Sequence, residues 1–150
     1  MTVQKLFEEI KKSFPETKSE LIPFSKKSFM WSSPVTKNIY YNQQQIEKYD
    51  FSDKALKGAL AHELSHQVDY NTKGFFTRLF FRFKYFRNTE FKKKTEREAD
   101  RITVKNGFGI ELIQLLKESE KKFERKRFLE RIKPFHLTIS EVKSLMRNKN

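Results

Sequence analysis

Val3, Leu6, Phe7, Ile10 and Phe14 recur at three- and four-residue intervals with charged residues between them, and Pro15 follows. Positions so spaced share one helix face, and proline cannot continue the helix, so the pattern predicts an amphipathic helix ending near Ser13. From Leu21 to Trp31 and again from Lys37 to Asn42 the pattern changes. Ile22, Phe24, Phe29, Trp31, Ile39, Tyr40 and Tyr41 are β-branched or aromatic, and Pro23, Ser32-Ser33-Pro34 and Asn42 interrupt them. Short strands forming a hairpin or small sheet are expected there.

Ser52 or Asp53 can cap the next helix, in which Ala55, Leu56, Ala59, Leu60 and Leu64 lead on to Val68. After Gly74 the run 75–87 mixes aromatic and basic residues without glycine or proline. On a helical wheel Phe75, Phe76, Leu79, Phe80, Phe83 and Phe86 fall on one arc, with Phe81 and Tyr85 outside it. Three readings suit this run. It can pack beside the preceding helix with its basic residues in solvent, anchor on an anionic membrane surface through its aromatics, or contact nucleic acid by stacking and phosphate binding.

A further helix is expected from about Lys92 to Lys105, stopped by Asn106-Gly107 in a left-handed terminus. Ile110, Leu112, Ile113, Leu115 and Leu116 begin another, which becomes highly charged from Lys117 to Lys133 before Pro134. A last short helix starts at Ser140, with Val142, Leu145 and Met146. The expected class is therefore α+β, a small mixed or antiparallel sheet packed on the helix containing residues 53–68, followed by a mainly helical C-terminal half from about 109. There is no internal repeat or low-complexity linker, and 150 residues suit one domain.

Only 37% of residues are hydrophobic and 34% are charged, but sixteen Phe supply enough large apolar side chains to predict a folded core. Lysine and arginine outnumber acids by 32 to 19, a net charge of +13, which favours polyanionic partners. The absence of cysteine excludes disulfides and thiolate metal sites, so any metal must rest on histidine and carboxylate. No secretory h-region is visible, and no apolar stretch approaches the roughly 20 residues that span a bilayer. A cytoplasmic location is expected, with peripheral membrane contact still open.

Those constraints give weight to His62-Glu63-Leu64-Ser65-His66. On a helix, His62 and His66 lie one turn apart and can present ring nitrogens to one metal ion, while Glu63 can act as general base toward a water at the open coordination position. The chain has only three histidines, and Leu60, Ala61, Leu64, Ser65, Gln67 and Val68 are all uncharged, which fits a buried catalytic helix. A catalytic zinc needs a third protein ligand, either His136 or a carboxylate. Glu96 and Asp100 stand at i and i+4 on the later helix, so Glu96 could bind the metal and Asp100 accept a ligand's second ring N–H. The same spacing also suits a solvated face of paired charges.

The His62 to His66 run, followed about thirty residues later by Glu96-Arg97-Glu98-Ala99-Asp100, resembles the gluzincin peptidases, specifically the HtpX-type and CAAX prenyl protease group, which pair H-E-x-x-H with E-x-x-A-D. The resemblance implies that Glu96 is the third zinc ligand, Asp100 its outer partner and Glu98 a bystander. It also implies that Asn38-Ile39-Tyr40-Tyr41-Asn42 is the rim strand that aligns an extended substrate, so it covers roughly residues 37–107. Without a spanning segment, the chain is most similar to the soluble one-domain minigluzincins, some of which are latent because a terminal segment blocks the cleft. The group's downstream His-Pro element is not reproduced: the order here is Lys133-Pro134-Phe135-His136, leaving His136 as either a carbonyl or oxyanion stabiliser or a surface histidine.

The activity expected from these features is a Zn2+-dependent endopeptidase acting on extended or unfolded polypeptide. Two alternatives remain at this level. One is a DNA-associated protease of the SprT type, which shares H-E-x-x-H and positive charge but uses a third histidine. The other is a basic nucleic-acid- or membrane-binding module with a latent zinc site.

Overall fold

The Thr2 side chain accepts the Lys5 amide and starts α1 (Val3–Lys11), whose Val3, Leu6, Phe7 and Ile10 face inward as their spacing requires. A computed structural model of the protein describes residues 2–25 and 27–148. Strands β1 (Leu21–Pro23), β2 (Met30–Ser32) and β3 (Ile39–Tyr41) form a mixed sheet in the order β1-β3-β2. Of the stretch read as extended, Lys26 lies outside the described residues. β3 runs parallel to β1 and antiparallel to β2. Trp31 stands opposite Tyr40, and their rings stack at 4.9 Å, a cross-strand pair that holds the register.

This order corrects the rim-strand expectation. Ile39–Tyr41 is the central strand, with Ile39 fully buried, and β2 is the edge that lines the cleft described below. The apolar Ile39 side chain draws its strand into the core, whereas Pro23, which lacks an amide donor, suits the opposite edge.

A helix that the pattern did not predict, α2 (Gln43–Tyr49), follows β3 at once. Its start was marked only by Asn42, whose side chain accepts the Gln45 amide, and it ends at Asp50 in a left-handed conformation, φ 47°. Helix α3 (Asp53–Asn71), capped by Ser52, runs three residues past Val68 and is buried on nearly every side by α1, β2 and the later helices. Gly58 is the point of closest approach. A Cβ there would overlap the Glu111 carbonyl oxygen, so only glycine lets the helix containing Glu111 cross this near.

Helices α4 (Phe75–Arg87) and α5 (Thr89–Lys105) meet at Asn88, whose side chain accepts the Phe91 amide and starts α5 three residues before Lys92. Gly107, at φ 95°, supplies the left-handed terminus that Asn106-Gly107 suggested. The single charged helix expected up to Lys133 is instead two, α6 (Gly109–Lys122) and α7 (Arg125–Arg131). The break falls at Phe123, whose ring leaves the helix line to pack 4.7 Å from Tyr49 and 5.8 Å from Phe51. Helix α8 (Ile139–Arg147) starts one residue before Ser140, at a reciprocal cap between Thr138 and Glu141. The architecture is α+β with a mainly helical C-terminal half. Among the described residues, no helix is long and apolar enough to cross a membrane.

The start of α3 is tied to α6. The Ser52 amide and hydroxyl both donate to the Glu118 carboxylate, which also accepts from Gln114. Burial alone would raise this carboxyl, but the hydrogen bonds from Ser52 and Gln114 outweigh it and bring it down to about 2. A carboxylate whose folded value lies below its unfolded one stabilises the fold above the unfolded value, and the contribution fades as pH falls toward the folded value. Glu118→Gln is therefore expected to cost about 1–3 kcal/mol at neutral pH. In denaturant titrations the gap from wild type should narrow as pH drops from about 4.3 toward about 2; a gap that stays constant over that window would refute the assignment.

Candidate metal centre

His62 and His66, one turn apart on α3 and each 5% exposed, bring their Nε2 atoms to 3.1 Å from one another. Glu96 reaches across from α5, its Oε2 3.0 Å from His62 Nε2 and 3.5 Å from His66 Nε2. Three donors about 2.0–2.1 Å from one tetrahedral ion stand about 3.3 Å apart, so this triangle has the size a zinc-like ion requires. The donor set, two imidazoles and one carboxylate, is one that zinc accepts.

Asp100, fully buried one turn after Glu96, lies 2.8 Å from His62 Nδ1. With the proton on Nδ1, Asp100 accepts it and leaves Nε2 bare toward His66 and Glu96. The other Asp100 oxygen accepts the Leu137 amide at 2.8 Å and lies 3.3 Å from His136 Nδ1. Burial alone would raise the carboxyls of Glu96 and Asp100. The charges of His66 and His136 respectively, with hydrogen bonds from the facing rings, outweigh burial and hold both well below the usual carboxylate range. Burial would lower His62, yet hydrogen bonds to Asp100 and Glu96 raise it well above the usual imidazole value. Two ionised carboxylates drawing protons onto buried imidazoles mark a pocket short of positive charge, the condition a bound cation relieves.

His62, Asp100 and His136 form a second group of metal-ligating type. It uses the Nδ1 edge of His62, already paired with Asp100, so it reads more simply as the outer layer of the first group. His136 is not a surface histidine: its side chain is 20% exposed, its ring centre lies 5.1 Å from that of His62, and its Nε2 is 3.7 Å from Glu96. The segment carrying it is held to α5 by Arg97, which donates to the His136 carbonyl and pairs with Glu141. Glu98 points away, paired with Arg101 at the surface.

Glu63 lines the same cleft, half-buried. The two motif helices are joined just behind the site, where the Ser65 and Thr103 hydroxyls lie 2.9 Å apart. Tyr70, one turn beyond His66, stacks on its ring at 5.9 Å and so fixes its plane. The cleft itself, about 580 Å³, is lined by β2 and α4 and also by α6, α7 and the segment that follows, with Trp31, Ser32, Tyr85, Arg131 and Phe135 among its walls.

Tyr85 is the site residue that the sequence pattern missed. Its hydroxyl donates to Glu96 Oε1, so both oxygens of that carboxylate are engaged. Burial and then the Glu96 charge push the phenol far above its usual value, which keeps it protonated as a donor. The signal was present, since Phe81 and Tyr85 are the two rings outside the wheel's arc. Of the three readings open for this run, the structure rules against packing of the arc beside α3, and the two rings outside the arc turn inward instead. Phe81 is buried against Tyr70 and Phe91, whereas Phe75, Phe76, Leu79, Phe80, Phe83 and Phe86 face solvent.

Compared with known proteins, the chain matches no family model, no curated protein and no solved structure.

Proposed function

We propose that the chain is a metal-dependent hydrolase of the gluzincin class, in which His62, His66 and Glu96 hold one zinc ion. Within that class we read it as a one-domain endopeptidase of minigluzincin type that cleaves extended polypeptide. The observation that carries the reading is the convergence of three donor atoms from α3 and α5 at 3.0–3.5 Å, with Asp100 bonded to the far side of His62. The ion would act as a Lewis acid on the peptide carbonyl and make a water acidic enough to attack it.

The chain's own residues supply the rest. Glu63, on the cleft wall beside His62, takes the proton of the attacking water and later returns it to the leaving amine. Asp100 keeps His62 in the required tautomer and orientation. His136 stands at the cleft as the donor for a carbonyl oxygen that gains charge, while Tyr85 commits its one hydroxyl proton to holding Glu96. Because Trp31 and Tyr40 pair directly, alternation directs the Met30 and Ser32 backbone groups away from β3. An extended peptide can add there as a further strand. The rival with a third histidine is disfavoured because Glu96, not His136, approaches both Nε2 atoms. We also place contact with an anionic membrane on the outward face of α4, ahead of nucleic-acid contact.

Treatment with a strong chelator is expected to remove one equivalent of metal and all hydrolysis of an internally quenched unstructured peptide, with both restored by stoichiometric zinc. A chain that takes up zinc and cleaves nothing across a broad peptide library would favour a binding module instead.

A further inference from the structure

Six of the eight large apolar side chains left exposed among the described residues lie on α4. Phe76, Phe80 and Phe86 are 73%, 71% and 75% exposed, and Phe75, Leu79 and Phe83 complete the face. At 100° per residue the six span about 140° of the helix surface, and their exposed area is on the order of 600 Å². A soluble monomer rarely leaves so large a contiguous apolar patch open without an interaction to make. Arg82 and Lys84, both exposed, border the arc on its two sides, and Arg87 at its C-terminal end lies 4.1 Å over the Phe83 ring.

We propose that this face of α4 docks in the headgroup region of an anionic membrane, with the helix lying in the interface. The distribution of charge selects this occupant. Aromatic side chains enter the boundary between headgroups and acyl chains while the bordering cations meet lipid phosphates, the arrangement of a monotopic amphipathic helix. A second copy of the chain is a poor occupant, because it would bring an equally basic face and another +13 of net charge against this one. Single-stranded nucleic acid is also a poor fit, since it binds in a basic groove with rings presented for stacking, and this surface is one convex helix.

The inward side of the same helix carries Tyr85 on Glu96. Docking therefore holds the cleft at the membrane plane and directs it to polypeptide segments lying on or emerging from the lipid surface. That consequence rests on the hydrolase reading, whereas docking itself does not.

The test is sedimentation of the full chain, metal-free and in chelator, with vesicles of phosphatidylcholine mixed with phosphatidylglycerol and with pure phosphatidylcholine. Wild type is expected to partition onto the anionic vesicles, less so at high salt. Phe76→Ser/Phe80→Ser/Phe83→Ser should weaken that partitioning by about tenfold or more, with unchanged circular dichroism and thermal midpoint. Lys84→Glu/Arg87→Glu, which removes no ring, should weaken binding to anionic vesicles selectively and covers the case in which the triple variant misfolds. The proposal is overturned if wild type stays in the supernatant, if the variants bind as wild type does, or if the same substitutions instead abolish a dimer or the binding of an oligonucleotide. Hydrolysis of a soluble peptide, measured separately on the zinc-loaded protein, tells failure of docking from failure of the hydrolase reading.

Discussion

Glu63→Gln is expected to keep zinc at one equivalent while lowering hydrolysis of an unstructured peptide by about 10²–10⁴-fold, the range that removal of a positioned general base costs. The amide has nearly the shape of the carboxylate, so it should leave the cleft wall unchanged, and it cannot take a proton from water. Glu63 lies on the cleft wall beside the donor triangle without belonging to it. Loss of chemistry without loss of metal is thus the signature that separates a base from a ligand. Metal content by atomic emission, read beside the initial rate on the same preparation, makes the comparison. A variant with wild-type rate would remove Glu63 from the mechanism, and with it the peptidase assignment.

The second large effect concerns metal retention. Glu96→Ala deletes one of three donors and leaves Tyr85 without its acceptor, so competition with a chromogenic chelator should show affinity falling by more than the roughly 10–100-fold that loss of an outer partner costs. Asp100→Asn is the case to compare, because it removes only the acceptor for His62 Nδ1–H, and its loss should stay within that range. Glu98→Ala should bind zinc as wild type does, since Glu98 is engaged by Arg101 at the surface. Equal losses in the Glu96 and Glu98 variants would mean that the acidic helix contributes only a diffuse field, and the ligand assignment would fall.

Much of the helical framework was legible because its signals are local. The spacing of Val3 to Phe14, the Ser52 cap and the Asn106-Gly107 terminus each act within a few residues. α2 escaped because Gln43, Gln44 and Gln45 carry no apolar period, leaving only the Asn42 cap as a sign. The break at Phe123 escaped for the opposite reason. Charged helix formers surround it, and only the distant rings of Tyr49 and Phe51 draw it out of line.

The metal centre divides in the same way. His62, Glu63 and His66 could be read as a unit because four residues along a helix are one turn in space, whatever the rest of the chain does. The choice of Glu96 over Glu98, the approach of His136 and the inward turn of Tyr85 depend on how α4, α5 and the segment before α8 pack on α3, and no local period encodes that packing. The α4 wheel shows the limit most clearly. The sequence determined that its rings form two arcs, but either arc could have been buried. Packing against Tyr70 and Phe91, with a hydroxyl donated to Glu96, decided for the smaller one and left the larger in solvent.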